Sequence, residues 1–116
     1  MLNKVLYIGR ITSDLEVRVT KNDKKYIFFD IAINDGYGEQ QNTNYINCIT
    51  WNKRAENLAK YQKKGNLILV EGKTESYKNK NGLSQTRCVA LDIKYLESKN
   101  NNSYNDESAD PFSEEM

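Results

Sequence analysis

Apolar and polar residues alternate with a period of two over most of residues 1–97, and such alternation is typical of half-buried β-strands. In residues 25–34, Ile27, Phe29, Ile31 and Ile33 share one face, which we expect to point into a core. The same pattern predicts strands over residues 4–11, 15–20, 25–34, 45–51, 67–76 and 85–96. Asn81 and Gly82, between the last two strands, form a strong hairpin signal.

Residues 52–62 have helical rather than strand spacing. Ala55, Leu58 and Ala59 fall on one face of such a helix. Asn52 is a residue type that caps helix starts, and Gly65 suits the stop. The pattern therefore predicts one short helix, capped by Asn52.

The order of these elements predicts an all-β fold, the OB-fold, which is a five-stranded Greek-key barrel with one short helix. In this count residues 4–11 and 15–20 are a single bent strand, broken near residues 12–14. An immunoglobulin-like sandwich would require more strands and no central helix. We therefore expect one OB-fold domain over residues 1–97.

Two polar segments interrupt or follow the pattern. Residues 34–44 form a long loop with two glycines, and loops of this length are often functional. Residues 98–116 are rich in Asn, Ser and acidic residues, so they bury too little apolar area to offset the entropy of ordering. We predict a disordered acidic C-terminal tail over residues 98–116.

The net charge of +1 conceals an asymmetry along the chain. Residues 1–97 carry 16 Lys and Arg against 11 Asp and Glu, a net charge of +5, whereas residues 98–116 carry one Lys against five acids, a net charge of −4. A basic body suggests a polyanionic partner such as a nucleic acid.

Residue usage argues against an enzyme. The chain has no histidine, so nucleophilic catalysis through an imidazole base is excluded. Its two cysteines, Cys48 and Cys88, lie in predicted strands and are expected to be buried free thiols rather than a disulfide or a zinc site. We expect no catalytic residue, no metal and no cofactor.

The sequence also indicates where the protein works. No run of about 18 apolar residues occurs, so we expect no membrane association. The N-terminus lacks the apolar stretch of a signal peptide. We therefore expect a cytoplasmic protein.

Four aromatic residues occupy positions that a core does not readily explain: Tyr37, Tyr45, Trp51 and Tyr77. Flat rings of this kind stack on the bases of single-stranded nucleic acid. Each has a structural alternative, and a lone tryptophan in a small domain is more often part of the core. Taken together, the four predict a stacking surface.

Cations that could follow the phosphates are spread along the same strands. A single Lys or Arg is more often a solvated surface charge, but a set on one face would make binding sensitive to salt. The candidates are Arg10, Arg18, Lys53, Arg54, Lys73, Lys78, Lys80 and Arg87.

The motifs along residues 1–97 resemble those of bacterial and phage single-stranded DNA-binding proteins. The similarity includes Ile8-Gly9-Arg10-Ile11, Phe29-Asp30-Ile31-Ala32-Ile33-Asn34, Tyr45-Ile46-Asn47-Cys48-Ile49-Thr50-Trp51 and Val70-Glu71-Gly72-Lys73. The resemblance implies an OB-fold that assembles as a homotetramer and covers single-stranded DNA in replication, recombination and repair, associated with the nucleoid. It also implies stacking roles for Tyr37, Tyr45, Trp51 and Tyr77.

The acidic tail departs from the family pattern. Members usually end in an acidic tip with a terminal phenylalanine that docks replication and repair proteins. Here Asp110, Pro111 and Phe112 are followed by residues 113–116, so the aromatic ring is not terminal. We therefore expect partner docking through these three residues to be impaired.

Other functions on the same fold stay open at this point. One is an OB-fold adaptor of replication restart that works mainly through protein contacts. Another is a nuclease, although Asp30, Asp35, Glu71 and Asp92 are scattered along the chain rather than clustered as metal-dependent cleavage requires. The sequence shows no element that would distinguish RNA from DNA by contacting the ribose 2′-hydroxyl, so RNA binding also stays open.

Overall fold

The computed structural model describes residues 1–99. It contains six β-strands and one α-helix in the order β1 (Val5–Ile11), β2 (Arg18–Val19), β3 (Lys25–Asp35), β4 (Asn42–Trp51), α1 (Asn52–Tyr61), β5 (Leu67–Lys78) and β6 (Ser84–Tyr95). The predicted all-β class and single helix are confirmed. The predicted boundary at residue 97 lies two residues before the end of the described chain.

The strands close into a barrel because β1 pairs with two partners. Along most of its length β1 lies antiparallel to β5, and its end pairs with β3, where Arg10 is opposite Ala32. The remaining neighbours are β5 with β6, β6 with β4 and β4 with β3. Only the β4–β6 pair is parallel. This is the Greek-key order of the predicted OB-fold.

The core lies inside this barrel and is filled by the inward faces of the strands. Ile27, Phe29 and Ile31 on β3 are almost fully buried, as the alternation predicted. The helix contributes Ala55 and Leu58 to the same cluster. The helix thereby covers an end of the barrel that the strands alone would leave open to water.

Three local predictions were wrong. The predicted strand over residues 15–20 is reduced to the two residues of β2, because β3 offers partners only at Lys25 and Tyr26. Leu15 and Val17 alternate because they pack on the core, without a ladder of hydrogen bonds. The predicted loop over residues 34–44 is also shorter than expected, because β3 and β4 stay paired as far as Asp35 and Asn42.

The third correction concerns the helix start. Asn52 is the first helical residue rather than the cap, and it has a positive φ of 56°. Trp51 occupies the capping position without a side-chain cap hydrogen bond. Because β4 extends as far as Trp51, the chain must turn at residue 52, and asparagine tolerates the left-handed conformation that this turn requires.

The hairpin between β5 and β6 is longer than predicted and turns where expected. Its turn is closed by hydrogen bonds between Asn79 and Leu83 and from the Gly82 N–H to the Asn79 carbonyl. Gly82 has a φ of +77°, the conformation for which glycine is suited. The strands extend from the barrel to Lys78 and Ser84, which pair with each other.

Candidate nucleic-acid interface

The outward face of β3 and β4 carries a row of cross-strand side-chain pairs. Antiparallel partners place their side chains on the same face. The pairs along this row are Tyr26 with Trp51, Phe28 with Ile49, Asp30 with Asn47, and Ala32 with Tyr45. Aromatic side chains thus lie at both ends of the row, and Asp30 and Asn47 form a polar pair within it.

Trp51 is half-buried at one end of this row. Its ring centroid lies 5.3 Å from that of Tyr26, and Tyr26 makes an edge contact with Phe28 at the same centroid distance. Trp51 does not belong to the core cluster. Phe28 is 50% exposed. The three rings form an apolar surface open to solvent on one side.

Tyr45 and Tyr37 continue the aromatic surface at the other end. Tyr45 is 67% exposed on β4, and Tyr37 is 91% exposed in the turn between β3 and β4. Gly36 and Gly38, on either side of Tyr37, both have positive φ values. The turn therefore holds the ring away from the barrel, as expected for a residue that contacts a ligand rather than the core.

Tyr77 lies on the β5–β6 hairpin, on the other side of the Arg87 side chain from Phe28. The Arg87 guanidinium is 4.3 Å from the Tyr77 ring centroid and 5.7 Å from that of Phe28. The Arg87 Nε donates a hydrogen bond of 2.8 Å to Glu75. Arg87 is thus held between two rings, with its position fixed by a carboxylate on the neighbouring strand.

Two adjacent grooves lie on this face. One, of about 300 Å³, is lined by Phe28, Asp30, Asn47, Cys48, Tyr77 and Arg87. The other, of about 240 Å³, is lined by Tyr7, Tyr45, Ile46, Asn47, Thr74, Thr86, Arg87 and Cys88. Because Asn47 and Arg87 border both grooves, the two together form a continuous path along the barrel.

Most of the candidate cations lie beside this path. Lys73 precedes Glu75 and Tyr77 on the same face of β5, and Lys78 and Lys80 lie at the hairpin end of that strand. Arg18 is the β2 partner of Tyr26, and Lys53 and Arg54 follow Trp51 at the start of the helix. These six residues, together with Arg87, place positively charged side chains around the aromatic surface.

Arg10 lies apart from the other candidates. Its guanidinium contacts Glu97 at 3.0 Å and the Gly65 carbonyl at 2.9 Å, near the C-terminal end of the helix. Its strand partner on β5 is Leu67, at the opposite end of that strand from Tyr77. The sequence did not predict that Arg10 lies far from the aromatic surface. Two residues can have the same parity on long strands and still lie at opposite ends of the barrel.

Sequence reasoning missed Phe28, Tyr26 and Asn47 as members of the surface. Phe28 has the parity opposite to that of the predicted core residues Ile27 and Phe29 on β3. The available signal was an aromatic ring at a position whose parity opposes the core face, as for Tyr45. Nothing in the sequence marks Asn47 as a site residue, because it joins the surface only through its pairing with Asp30 on β3.

The two thiols lie beneath this surface. Cys48 and Cys88 are in-register partners on the parallel strands β4 and β6, and both are buried and free. A hydrogen bond with Cys88, together with burial, raises the pKa of the Cys48 thiol. The expected buried thiols are confirmed.

Among residues 1–99, no group of three or more His, Cys, Asp and Glu side chains is placed to hold a metal ion. Of the four acids weighed for a nuclease, Glu71 and Asp92 are cross-strand partners, but no third acid of the described residues joins them, and three of the four have other partners. Asp92 pairs with Lys94. Glu71 pairs with Lys4, and Asp35 accepts a hydrogen bond from Asn44. Within the same described residues, no helix is long and apolar enough to cross a membrane.

Comparison with known proteins identifies the family of the chain. The model of the single-strand binding protein family matches residues 2–104 of the chain. The chain belongs to this family. The recognition made from its sequence motifs is thereby confirmed.

Its relatives in the single-strand binding family include bacterial proteins of similar or greater length. A single-stranded DNA-binding protein of Halalkalibacterium halodurans is 38% identical over 97% of the chain and 71% of its own length. Single-stranded DNA-binding protein A of Bacillus subtilis is 38% identical over 86% of the chain and 62% of its own length. Single-stranded DNA-binding protein 1 of Streptococcus pyogenes is 36% identical over 95% of the chain and 90% of its own length.

The fold also matches a solved structure. The Plasmodium falciparum SSB in complex with single-stranded DNA superposes with a TM-score of 0.71, at 20% identity, over 84% of the chain and 96% of that structure's chain. This similarity shows that the two chains share the OB-fold.

Proposed function

We propose that this protein binds and protects single-stranded DNA without requiring a particular overall sequence. The observation that carries the proposal is the exposed aromatic row on one face of the barrel, where Phe28 and Tyr45 are at least half exposed. Large apolar rings exposed together are costly unless they meet a partner. Unpaired bases provide such a partner, because each base has a flat face on which a ring can stack.

The charges near the rings support the same partner. Arg87, between the Tyr77 and Phe28 rings, and the surrounding lysines can follow a phosphate backbone while the bases lie on the aromatic row. Binding of this type requires no catalysis. Family membership and the names of the relatives support the same function, which we place in DNA replication, recombination and repair.

We further propose that the protein acts as a homotetramer associated with the nucleoid in the cytoplasm. Leu6 and Ile8 support self-association, because these apolar side chains on β1 are 62% and 53% exposed. Docking of replication and repair proteins through Asp110, Pro111 and Phe112 stays a prediction, since these residues lie outside the described residues.

Replacing Tyr45 tests the proposal most simply. Tyr45→Ala removes a ring that is exposed on the proposed path, so we expect its affinity for a fluorescein-labelled oligo-dT to fall by about 5- to 100-fold, measured by anisotropy. Tyr45→Phe keeps the ring and should bind like the wild type. Tyr61→Ala, which removes an exposed tyrosine at the other end of the barrel beside Tyr95, should also leave affinity unchanged.

Two results would count against the proposal. If Tyr45→Ala binds like the wild type, the strand does not follow this face. If the wild-type protein binds no oligo-dT at low salt, the alternative of an adaptor that works through protein contacts replaces the proposal.

A further inference from the structure

The groove of about 300 Å³ between Phe28 and Tyr77 contains an acidic residue, Asp30. We call it the Asp30 groove, with the lining given above. Asp30 and Asn47 are cross-strand partners, so their side chains share the outward face of the sheet. An acid here is unexpected, because a carboxylate repels the phosphates that the surrounding cations attract.

Asp30 is held firmly by its backbone. Its N–H donates to the Ser13 hydroxyl at 3.0 Å, and its carbonyl accepts from the Thr12 N–H at 2.9 Å. These bonds fix the strand and leave the side chain free to act on a ligand.

The carboxylate itself is half-buried and lacks a partner. Among residues 1–99 it makes no hydrogen bond or ion pair, and neither does the Asn47 amide beside it. Arg87, which lines the same groove, has its Nε committed to Glu75 instead. Asp30 is only partly buried and Asn47 is exposed, so both polar side chains reach solvent in the groove and are available to a ligand that replaces their water.

The shape of the groove suits a single base. The rings of Phe28 and Tyr77 line the groove, and the Arg87 guanidinium contacts both of them, so a base can stack on this surface beside Arg87. Proteins that read unstacked bases use this combination of stacking walls and polar groups facing the Watson–Crick edge. The polar groups here are the Asp30 carboxylate and the Asn47 amide.

The chemistry of these two groups selects one base. An ionised carboxylate only accepts hydrogen bonds, whereas an amide both donates and accepts. Guanine has two adjacent donors, N1–H and the 2-amino group, that can meet both carboxylate oxygens, and its O6 can accept from the Asn47 amide. Thymine has a single N3–H flanked by two carbonyl oxygens, which would face the carboxylate unfavourably.

We propose that the Asp30 groove binds one guanine of the bound strand, so that the protein prefers guanine at one position along an otherwise unspecific path. This inference rests on the proposed single-stranded DNA binding and adds a base preference to it. Asp30 acts as a specificity-determining residue, and its negative charge is tolerated because it meets the donors of a base rather than a phosphate.

The test compares short oligonucleotides of about ten nucleotides, close to what one OB-fold covers. Each is oligo-dT with one central substitution, to guanine, hypoxanthine, cytosine or adenine, and affinities are measured by anisotropy competition. We expect the guanine oligonucleotide to bind about tenfold tighter than pure oligo-dT. Hypoxanthine, which lacks the 2-amino group, should lose most of this gain.

Two variants locate the effect. Asp30→Asn keeps the size of the side chain and the backbone bonds but replaces one acceptor oxygen with a donor, so the guanine preference should disappear while affinity for oligo-dT is kept or rises. Asp92→Asn is the matched control, because it removes the same charge from an exposed site on β6 that pairs with Lys94. This control should keep the full preference.

The outcomes separate this inference from the proposed function. Equal affinity of the wild type for all five oligonucleotides, or an unchanged guanine preference in Asp30→Asn, would overturn the inference and leave the proposed function intact. Failure of the wild type to bind any of the oligonucleotides would instead overturn the proposed function.

Discussion

At the scale of single residues, the same outward parity gives side chains different roles. Tyr45, Asn47, Ile49 and Trp51 alternate along one face of β4, but only Ile49 among them is fully buried. Ile49 lies between the apolar side chains of Phe28 on β3 and Val89 on β6. These two side chains cover it. The side chains of the flanking strands thus decide which outward residues remain available to a ligand.

The two thiols illustrate how burial controls reactivity. Cys48 and Cys88 lie at the base of the proposed binding surface and are only 1% and 3% exposed. The thiolate is the reactive form of cysteine, and the raised pKa of Cys48 keeps that residue protonated at neutral pH. The hydrogen bond between the two thiols lowers the pKa of Cys88, so burial alone protects that thiol, and both side chains contribute to the core as small apolar groups.

We expect both thiols to resist modification in the folded protein. Labelling by an aromatic disulfide reagent at neutral pH should be about a hundredfold slower than in denaturant, because it requires local opening of the barrel. Counting the released thiolate by absorbance checks this prediction. Labelling of either cysteine at the rate seen in denaturant would show that the thiols are accessible and contradict their placement.

At the scale of elements, the sequence predicted which strands and helix exist better than where they end. The alternation in β3 identified its core face correctly because barrel closure buries only one side of the strand. The ends of β2 and β4 depend on how far a neighbouring strand continues, which is a property of the pairing rather than of local sequence. The same reason explains the shorter loop around Tyr37 and the failed cap at Asn52.

The site was partly predictable for a related reason. Outward parity and exposed aromatics identified Tyr37, Tyr45, Trp51 and Tyr77 as candidates. The positions of Phe28, Asp30 and Asn47 in one groove depend on the register between β3 and β4 and on the reach of the β5–β6 hairpin. Neither the register nor the reach follows from the spacing of residues along the chain.

The irregular point of the β5–β6 pair lies at Gly72. The register shifts between Glu71 and Gly72, and a Cβ added at Gly72 would lie 2.0 Å from the Val89 carbonyl oxygen. No side chain fits at that distance, so the two backbones approach closely only because residue 72 is glycine.

Gly72→Ala should therefore destabilise the barrel by about 1–3 kcal/mol, the usual cost of overpacking a well-packed site. Urea unfolding followed by circular dichroism measures the change. Ser76→Ala, at an exposed position on the same strand, is the control and should change stability by no more than about 0.5 kcal/mol. Equal unfolding midpoints for the two variants would show that the strands can separate at Gly72 without loss.

At the scale of the whole molecule, two surfaces of the barrel have different characters. The outward face of β3 and β4 combines rings with nearby cations, whereas β1 exposes the apolar Leu6 and Ile8. Exposed apolar side chains favour contact with protein rather than with a nucleic acid, and the charges beside Leu6, on Lys4 and Glu71, are paired with each other. We therefore propose that β1 serves assembly and that β3 and β4 serve DNA binding.

Replacing both Leu6 and Ile8 with glutamate should break the proposed tetramer, because the partners would bury unpaired charges. Sedimentation equilibrium should then give a smaller mass than for the wild type. Val19→Glu, which introduces one charge at an exposed apolar position on β2, is the control and should leave the mass unchanged. A wild-type protein that sediments as a monomer would contradict the proposed assembly.

The central claim, that single-stranded DNA lies on the aromatic face of the barrel, is tested most directly by the fluorescence of Trp51, which is the only tryptophan in the chain. Titration with poly-dT should strongly quench this emission because bases would stack against the exposed side of the ring, and the affinity should fall as salt rises, with a log–log slope of about 0.7 per phosphate contacted. Unchanged emission at saturation, with binding still visible as a gel shift, would place the strand elsewhere on the protein and contradict the account.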